Sequence, residues 1–228
     1  MFAVLFEVQP KASEWDRYLE LAGTLRPELV RIPGFLHNER YRSERTEGRL
    51  LSLSLWEDEK ALVRWRTHGL HHEVQGKGRF EVFEDYHLRV GEVVTDSELG
   101  ELPQTHLERT EAGAGTAATV IEIEPGEGAP DEPPRSADLI DVEWYRGIND
   151  EARRLLLASW RGAEPAADWL AGERHGSRRR HVRVVRDYGL HDRAEAPQYF
   201  PAVRDPAAQG RGIPGPLKCG SPQGLSAL

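Results

Sequence analysis

The chain has 228 residues, 39% of them hydrophobic and 30% charged, and 38 acidic against 30 basic side chains leave a formal net charge of −8. That balance excludes a nucleic-acid-binding surface as the main business, since neutralising phosphates needs a basic face. The single cysteine, Cys219, excludes an internal disulfide and fits a reducing compartment.

No apolar run approaches a membrane span of about twenty residues, and the first eight residues form no basic leader, so a soluble, cytoplasmic protein is expected. Phe2–Val8 is apolar, β-prone and bounded by Pro10, which predicts a strand. Ser13 offers an N-cap, and Trp15, Tyr18, Leu19, Ala22 and Leu25 follow at helical intervals. They predict an amphipathic helix to about Val30 with a break near Pro27. Pro33-Gly34 ends it. Phe35–Arg42 reads as a second strand, residues 44–48 as a charged turn, and Leu50–Leu55 as the third strand of a hairpin, its leucines alternating with Ser52 and Ser54. Ala61, Leu62, Trp65 and Leu70 then predict one second helix from about Glu57 to near Val74. Phe83–Val94 is the closing strand, with Tyr86, Leu88 and Val90 on one face. The order β-α-β-β-α-β is the ferredoxin-like split unit.

A second, shorter copy follows. Trp56/Trp65 and Trp160/Trp169 stand nine apart, Tyr41-Arg42 and Tyr145-Arg146 each precede the first tryptophan by fifteen, and His71 and His175 each follow the second by six. Further back, Phe6–Pro10 (FEVQP) answers to Ile121–Pro125 (IEIEP), so an internal repeat is expected. The Pro/Gly-rich GEGAPDEPPRSA segment cannot make a first helix in the second copy. The expected division is a complete unit at 1–96, a polar linker at 97–118, a degenerate repeat at 119–193 and a Pro/Gly-rich arm at 194–228.

The opening strand FAVLFEV, Pro33–Phe35, the step LSLSLWEDEKALVRW, the HGLHH of the second helix and the closing strand resemble the antibiotic biosynthesis monooxygenase family. The resemblance implies an α+β fold of tandem ferredoxin-like repeats whose antiparallel sheets pack as an α+β barrel, within one chain or in a possible homodimer. It also implies a monooxygenase that needs no cofactor: an aromatic or polyketide-like substrate is deprotonated and its anion reacts with dioxygen. Such a site needs a base, a hydrogen-bonded anion and a dry pocket. His71 and His72 are the candidate bases. Asn38, Tyr41, Trp65, His68, Arg79 and Tyr86 are the candidate substrate contacts, Arg79 for an anionic group. His68 and His72, at i and i+4 of the expected helix, would share a face.

Quieter readings stand beside these. Trp56 and Trp65 suit a core that covers the sheet, Arg178–Arg180 a solvated face, and His175 a barrel closure. Haem-degrading relatives on the same fold open a haem alternative, with His71 or His72 as the iron ligand. The position about ten residues after Trp65, where that resemblance puts the ligand, is Gln75. A non-redox cyclase-like or ligand-binding protein is the third reading. No metal site, nucleic-acid partner or membrane partner is expected.

Overall fold

The computed structural model describes residues 1–105, 117–128 and 135–203. Parts of the expected linker and of the Pro-rich segment, the arm beyond residue 203 and Cys219 lie outside the described residues.

Nine strands and four α-helices follow one another among these residues. They are β1 (Phe2–Pro10), α1 (Trp15–Leu29), β2 (Phe35–Ser43), β3 (Leu50–Trp56), α2 (Glu59–Arg66), α3 (Gly69–Lys77), β4 (Phe83–Asp96) and β5 (Gly100–Glu101). The second half gives β6 (Ala117–Ile123), β7 (Leu139–Gly147), β8 (Arg154–Trp160), α4 (Ala163–Gly172) and β9 (Arg178–Gly189). Every pairing is antiparallel, and the order β1-β3-β2-β7-β8-β6-β9-β4 returns to β1 through the β1–β4 pair, closing an eight-stranded barrel from one chain. Closure leaves no long unpaired edge.

The register reveals a pseudo-two-fold. Phe2 lies opposite Trp56 on β3 and Glu92 on β4, and Ala117 lies opposite Trp160 on β8 and Arg183 on β9. The halves join where equivalent strands meet: Arg42 pairs with Arg146 across β2–β7, and Glu92 with Arg183 across β4–β9. Gly91 sits at the long β4–β9 joint because a Cβ there would stand 2.4 Å from Val182 Cγ1 and 2.6 Å from the Arg183 carbonyl oxygen.

Strand alternation sends one set of side chains into the barrel. Ala3, Leu5, Leu51, Leu53, Leu55, Val120, Leu155 and Leu157 form that interior. Two polar triads are set into it, each spanning both halves. Tyr145 Oη donates to Glu7 (2.8 Å), which also accepts from Arg89 (2.7 Å); Tyr41 Oη donates to Glu122 (3.1 Å), which accepts from Arg180. Burial alone would push the Glu7 carboxyl up, but Arg89, His87 and Arg49 hold it well below the usual carboxylate range. Arg180 is therefore an internal ion pair, bonded also to Asp96 at 2.9 Å, and not part of a solvated face. Inward parity on a barrel strand leaves such a residue no solvated side.

Several expectations shift locally. α1 starts after a 3₁₀ turn at Ala12–Glu14 with Glu14 as N-cap, so Ser13 does not cap it. It runs through Pro27 to Leu29: the proline has no N–H to give the Gly23 carbonyl, and the helix ends two residues later. The single second helix is two helices: Thr67 turns its hydroxyl onto the Val63 carbonyl, and His68 is extended (φ −63°, ψ 128°) as the N-cap of α3. His68 and His72 consequently do not share a helix face. The segment expected as linker begins with β5, which doubles back on Thr95 and Asp96. No helix lies in the described residues between β6 and β7.

No helix among the described residues is long and apolar enough to cross a membrane.

Candidate functional site

The outer faces of the two halves are covered differently, and that difference makes the site. In the second half Leu156, Ile121 and Leu170 pack together, and Ala158, Trp160 and Ala166 fill the space beside them. The register places Ser52 and Ser54 where the second half has Leu156 and Ala158. Above them α1, α2 and α3 stand over a cavity of about 210 Å³ rather than a filled core.

Val4, Phe6, Leu88 and Val90 give the floor its apolar patches, and Leu25, Leu62 and Trp65 form part of the roof. Asn38 Nδ2 donates to Ser52 Oγ (2.9 Å) and to the Leu53 carbonyl (3.0 Å), so it is fixed in place at the polar strip of the floor. Gln75 lines the roof, and its buried Oε1 has no hydrogen-bond partner among the described residues.

His71 is the imidazole that lines this cavity. Its ring lies flat on Trp65, centroids 4.1 Å apart and planes 13° apart, and its Nδ1–H donates to the Trp65 carbonyl at 2.9 Å. That bond fixes the tautomer and leaves the lone pair on Nε2. Burial, with His68 and His72 adding to it, drops the imidazolium pKa to about 4, so His71 is neutral near pH 7.

At the far end, Arg79 from the π-type turn Gly78–Val82 and Arg193 from the segment after β9 both donate to Tyr86 Oη, each at 2.6 Å. Phe200 lies over both guanidiniums, 5.3 and 5.7 Å from its ring centroid. Gln198 Nε2 donates to the Arg66 carbonyl (2.9 Å), so the first residues of the expected arm close the cavity. Burial pushes the Tyr188 phenol up to about 12, with Tyr86 adding to it.

Of the candidate residues, Asn38, Trp65, His71, Arg79 and Tyr86 line this one cavity. Tyr41 lies on the other side of the sheet, in the barrel interior; it stands three positions from Asn38, and odd spacing on a strand means opposite faces. His72 stacks on Phe200 at 5.1 Å and does not line the cavity, and neither does His68, whose Nε2 is 3.8 Å from Glu28. His175 is exposed and pairs with Glu173. Arg40, Arg66, Arg186 and Arg193 were not singled out; the parity of Arg40 with Asn38 is the one signal that placed any of them.

The fold and the site define a class: a single-chain α+β barrel with a mostly apolar cavity between sheet and helices, carrying a neutral imidazole and arginines. A family model described as antibiotic biosynthesis monooxygenase matches residues 1–77. The jasmonate monooxygenase ABM of Pyricularia oryzae (strain 70-15) is 38% identical over 220 residues, 88% of this chain and 99% of that protein. The uncharacterized protein YqjZ of Bacillus subtilis (strain 168) is 33% identical over 92 residues, 40% of this chain and 78% of its own. A solved aldoxime dehydratase in complex with butyraldoxime has a TM-score of 0.51 at 12% identity over 80% of this chain and 79% of that one, a likeness of fold. The chain belongs to the antibiotic biosynthesis monooxygenase family, and it is an oxidoreductase of the monooxygenase type.

Proposed function

We propose that this monooxygenase acts, without a cofactor, on a compact apolar metabolite with an acidic C–H beside a ketone, of the jasmonate type named for its full-length relative. The observation that carries the reading is His71: a neutral imidazole of fixed tautomer lining a mostly apolar cavity. The cavity of about 210 Å³ is smaller than the roughly 300–1,000 Å³ pockets that take drug-sized ligands, which favours a compact ring over the multi-ring polyketide suggested by the family resemblance.

His71 Nε2 takes the proton from the activated CH₂. A conjugate acid near 4 makes a weak base in the protein alone, but the substrate anion formed beside the imidazolium raises that value. Asn38, already held by Ser52 and Leu53, is placed to donate toward the enolate oxygen. The carbanion adds dioxygen at carbon, the imidazolium returns its proton to the peroxide, and His71 removes the second C–H as the O–O bond breaks. CH₂ and O₂ become C=O and H₂O, with all four electrons drawn from the substrate. Insertion of a hydroxyl would need two further electrons from an external donor.

Oxygen uptake with jasmonic acid, in the absence of flavin, metal and reductant, tests this. Uptake is expected, with a carbonyl product, and His71→Ala should lower kcat about 10²–10⁴-fold. His72→Ala, outside the cavity, should change it only a few-fold. Uptake that demands a reductant, or a His71→Ala enzyme with unchanged kcat, would remove this mechanism.

The haem alternative draws on the same nitrogen, since a ligating histidine commonly donates its other N–H to a carbonyl. The donor fits but the volume does not, because about 210 Å³ lies below even the range for drug-sized ligands. Titration with haem should give no Soret band.

A further inference from the structure

Five arginines, Arg40, Arg66, Arg79, Arg186 and Arg193, and a single carboxylate, Glu59, line the cavity of a protein whose net charge is −8. Two of them meet without compensation. Arg79 is 3% exposed, and its polar contacts are Tyr86 Oη at 2.6 Å and the Leu190 carbonyl at 3.4 Å, while its Nε has none. Arg193 donates to the same phenol oxygen and to the Gln198 carbonyl at 2.9 Å. Among the described residues no carboxylate pairs with either guanidinium. Buried charges are ordinarily paired, and two like charges sharing one neutral acceptor under an aromatic lid repel. An anion would complete the pair, and the planar forks of arginine match a carboxylate.

We infer that Arg79 and Arg193 form a carboxylate subsite at the end of the cavity, so that the substrate is an amphiphilic acid whose apolar body lies between Trp65 and the sheet. The inference rests on the cavity being the substrate site proposed above and adds its charge class. Arg193 is the specificity-determining member: it comes from the segment after β9 and is tied to Gln198, which in turn holds the Arg66 carbonyl. The acid head is thus recognised through the same segment that forms this wall of the cavity. Tyr86 Oη, between the two guanidiniums, sets their separation.

Quenching of tryptophan fluorescence, to which Trp65 in the roof should contribute, reads binding without requiring turnover. The acid used above should bind about 10- to 100-fold tighter than its methyl ester, the range expected for charge-assisted hydrogen bonds. Arg193→Gln should bring that ratio to within about threefold by weakening the acid alone, and Arg193→Lys should restore part of it. Arg79→Gln is the second arm, read only where its circular dichroism and melting match the parent. Equal affinities for acid and ester in the parent, or a ratio that survives Arg193→Gln, would overturn the subsite. Discrimination that vanishes in the variant, in a protein that consumes no oxygen, would uphold the subsite and sink the oxygenation mechanism instead.

Discussion

At the scale of single residues, burial without compensation gives His71 its character. The folded imidazole titrates at about 4, and an unfolded one near 6.5. Between those values the unfolded chain binds a proton that the folded chain refuses, so stability falls as pH drops from about 6.5 to 4 and levels off below. The loss is at most about 3 kcal/mol. Urea melts at pH 7.5, 5.5 and 4 should record it, and His71→Gln should flatten that part of the profile; parallel falls in both proteins would assign it elsewhere. His87 works in the opposite direction. Burial lowers its pKa, but bonds to Asp187 (2.5 Å) and to Glu7 raise it above the ordinary value. What it contributes is complete below about 6.5 and is lost as pH climbs through its folded value. The sequence put His71 among the candidate bases but could not choose it over His72. The choice is made by the break at Thr67, which no periodicity announces because the apolar positions on either side keep helical spacing.

At the scale of elements, the same strand parity that builds the barrel decides which polar groups reach the cavity. The alternation of leucine and serine in β3 was legible as a strand with one buried face. That the serine face lies under three helices was not, because alternation does not say what covers the second face. In β8 the equivalent positions are apolar and α4 seals them. In β3 they are serines and a cavity remains, so hydroxyls on a covered face are the signal of a site. Inside the barrel the triads are the vulnerable part. Arg89→Met would leave Glu7 buried with only the more exposed Arg49 and His87 to answer it. A cost of about 3–5 kcal/mol is expected from chemical denaturation. By contrast Arg42→Ala, which breaks an exposed pair with Glu151 beside the short β2–β7 joint, should cost about 1 kcal/mol or less.

At the scale of the whole molecule, the doubled tryptophans, tyrosines and histidines made the repeat readable, and the barrel's closure through β2–β7 and β4–β9 gives those landmarks their meaning. Less legible was the start of the expected arm, residues 194–203. Proline and glycine content predicts an arm, whereas Gln198 and Phe200 complete a wall, because extended segments are held by contacts that composition does not encode.

The pair on the pseudo-axis has a consequence for self-recognition. Where two identical subunits meet, a residue on the axis faces its own copy. Here Glu92 faces Arg183 at 2.6 Å, with Glu92 buried. Residues 1–105 pairing with themselves would set Glu92 against Glu92, so each half carries a lock that its twin cannot open. Arg183→Glu should therefore cost about 3 kcal/mol or more, and adding Glu92→Arg should recover most of it. The two halves produced as separate chains should likewise associate with each other in sedimentation and not with themselves. Opposite charges on the pseudo-axis thus favour the pairing of unlike halves over that of like ones.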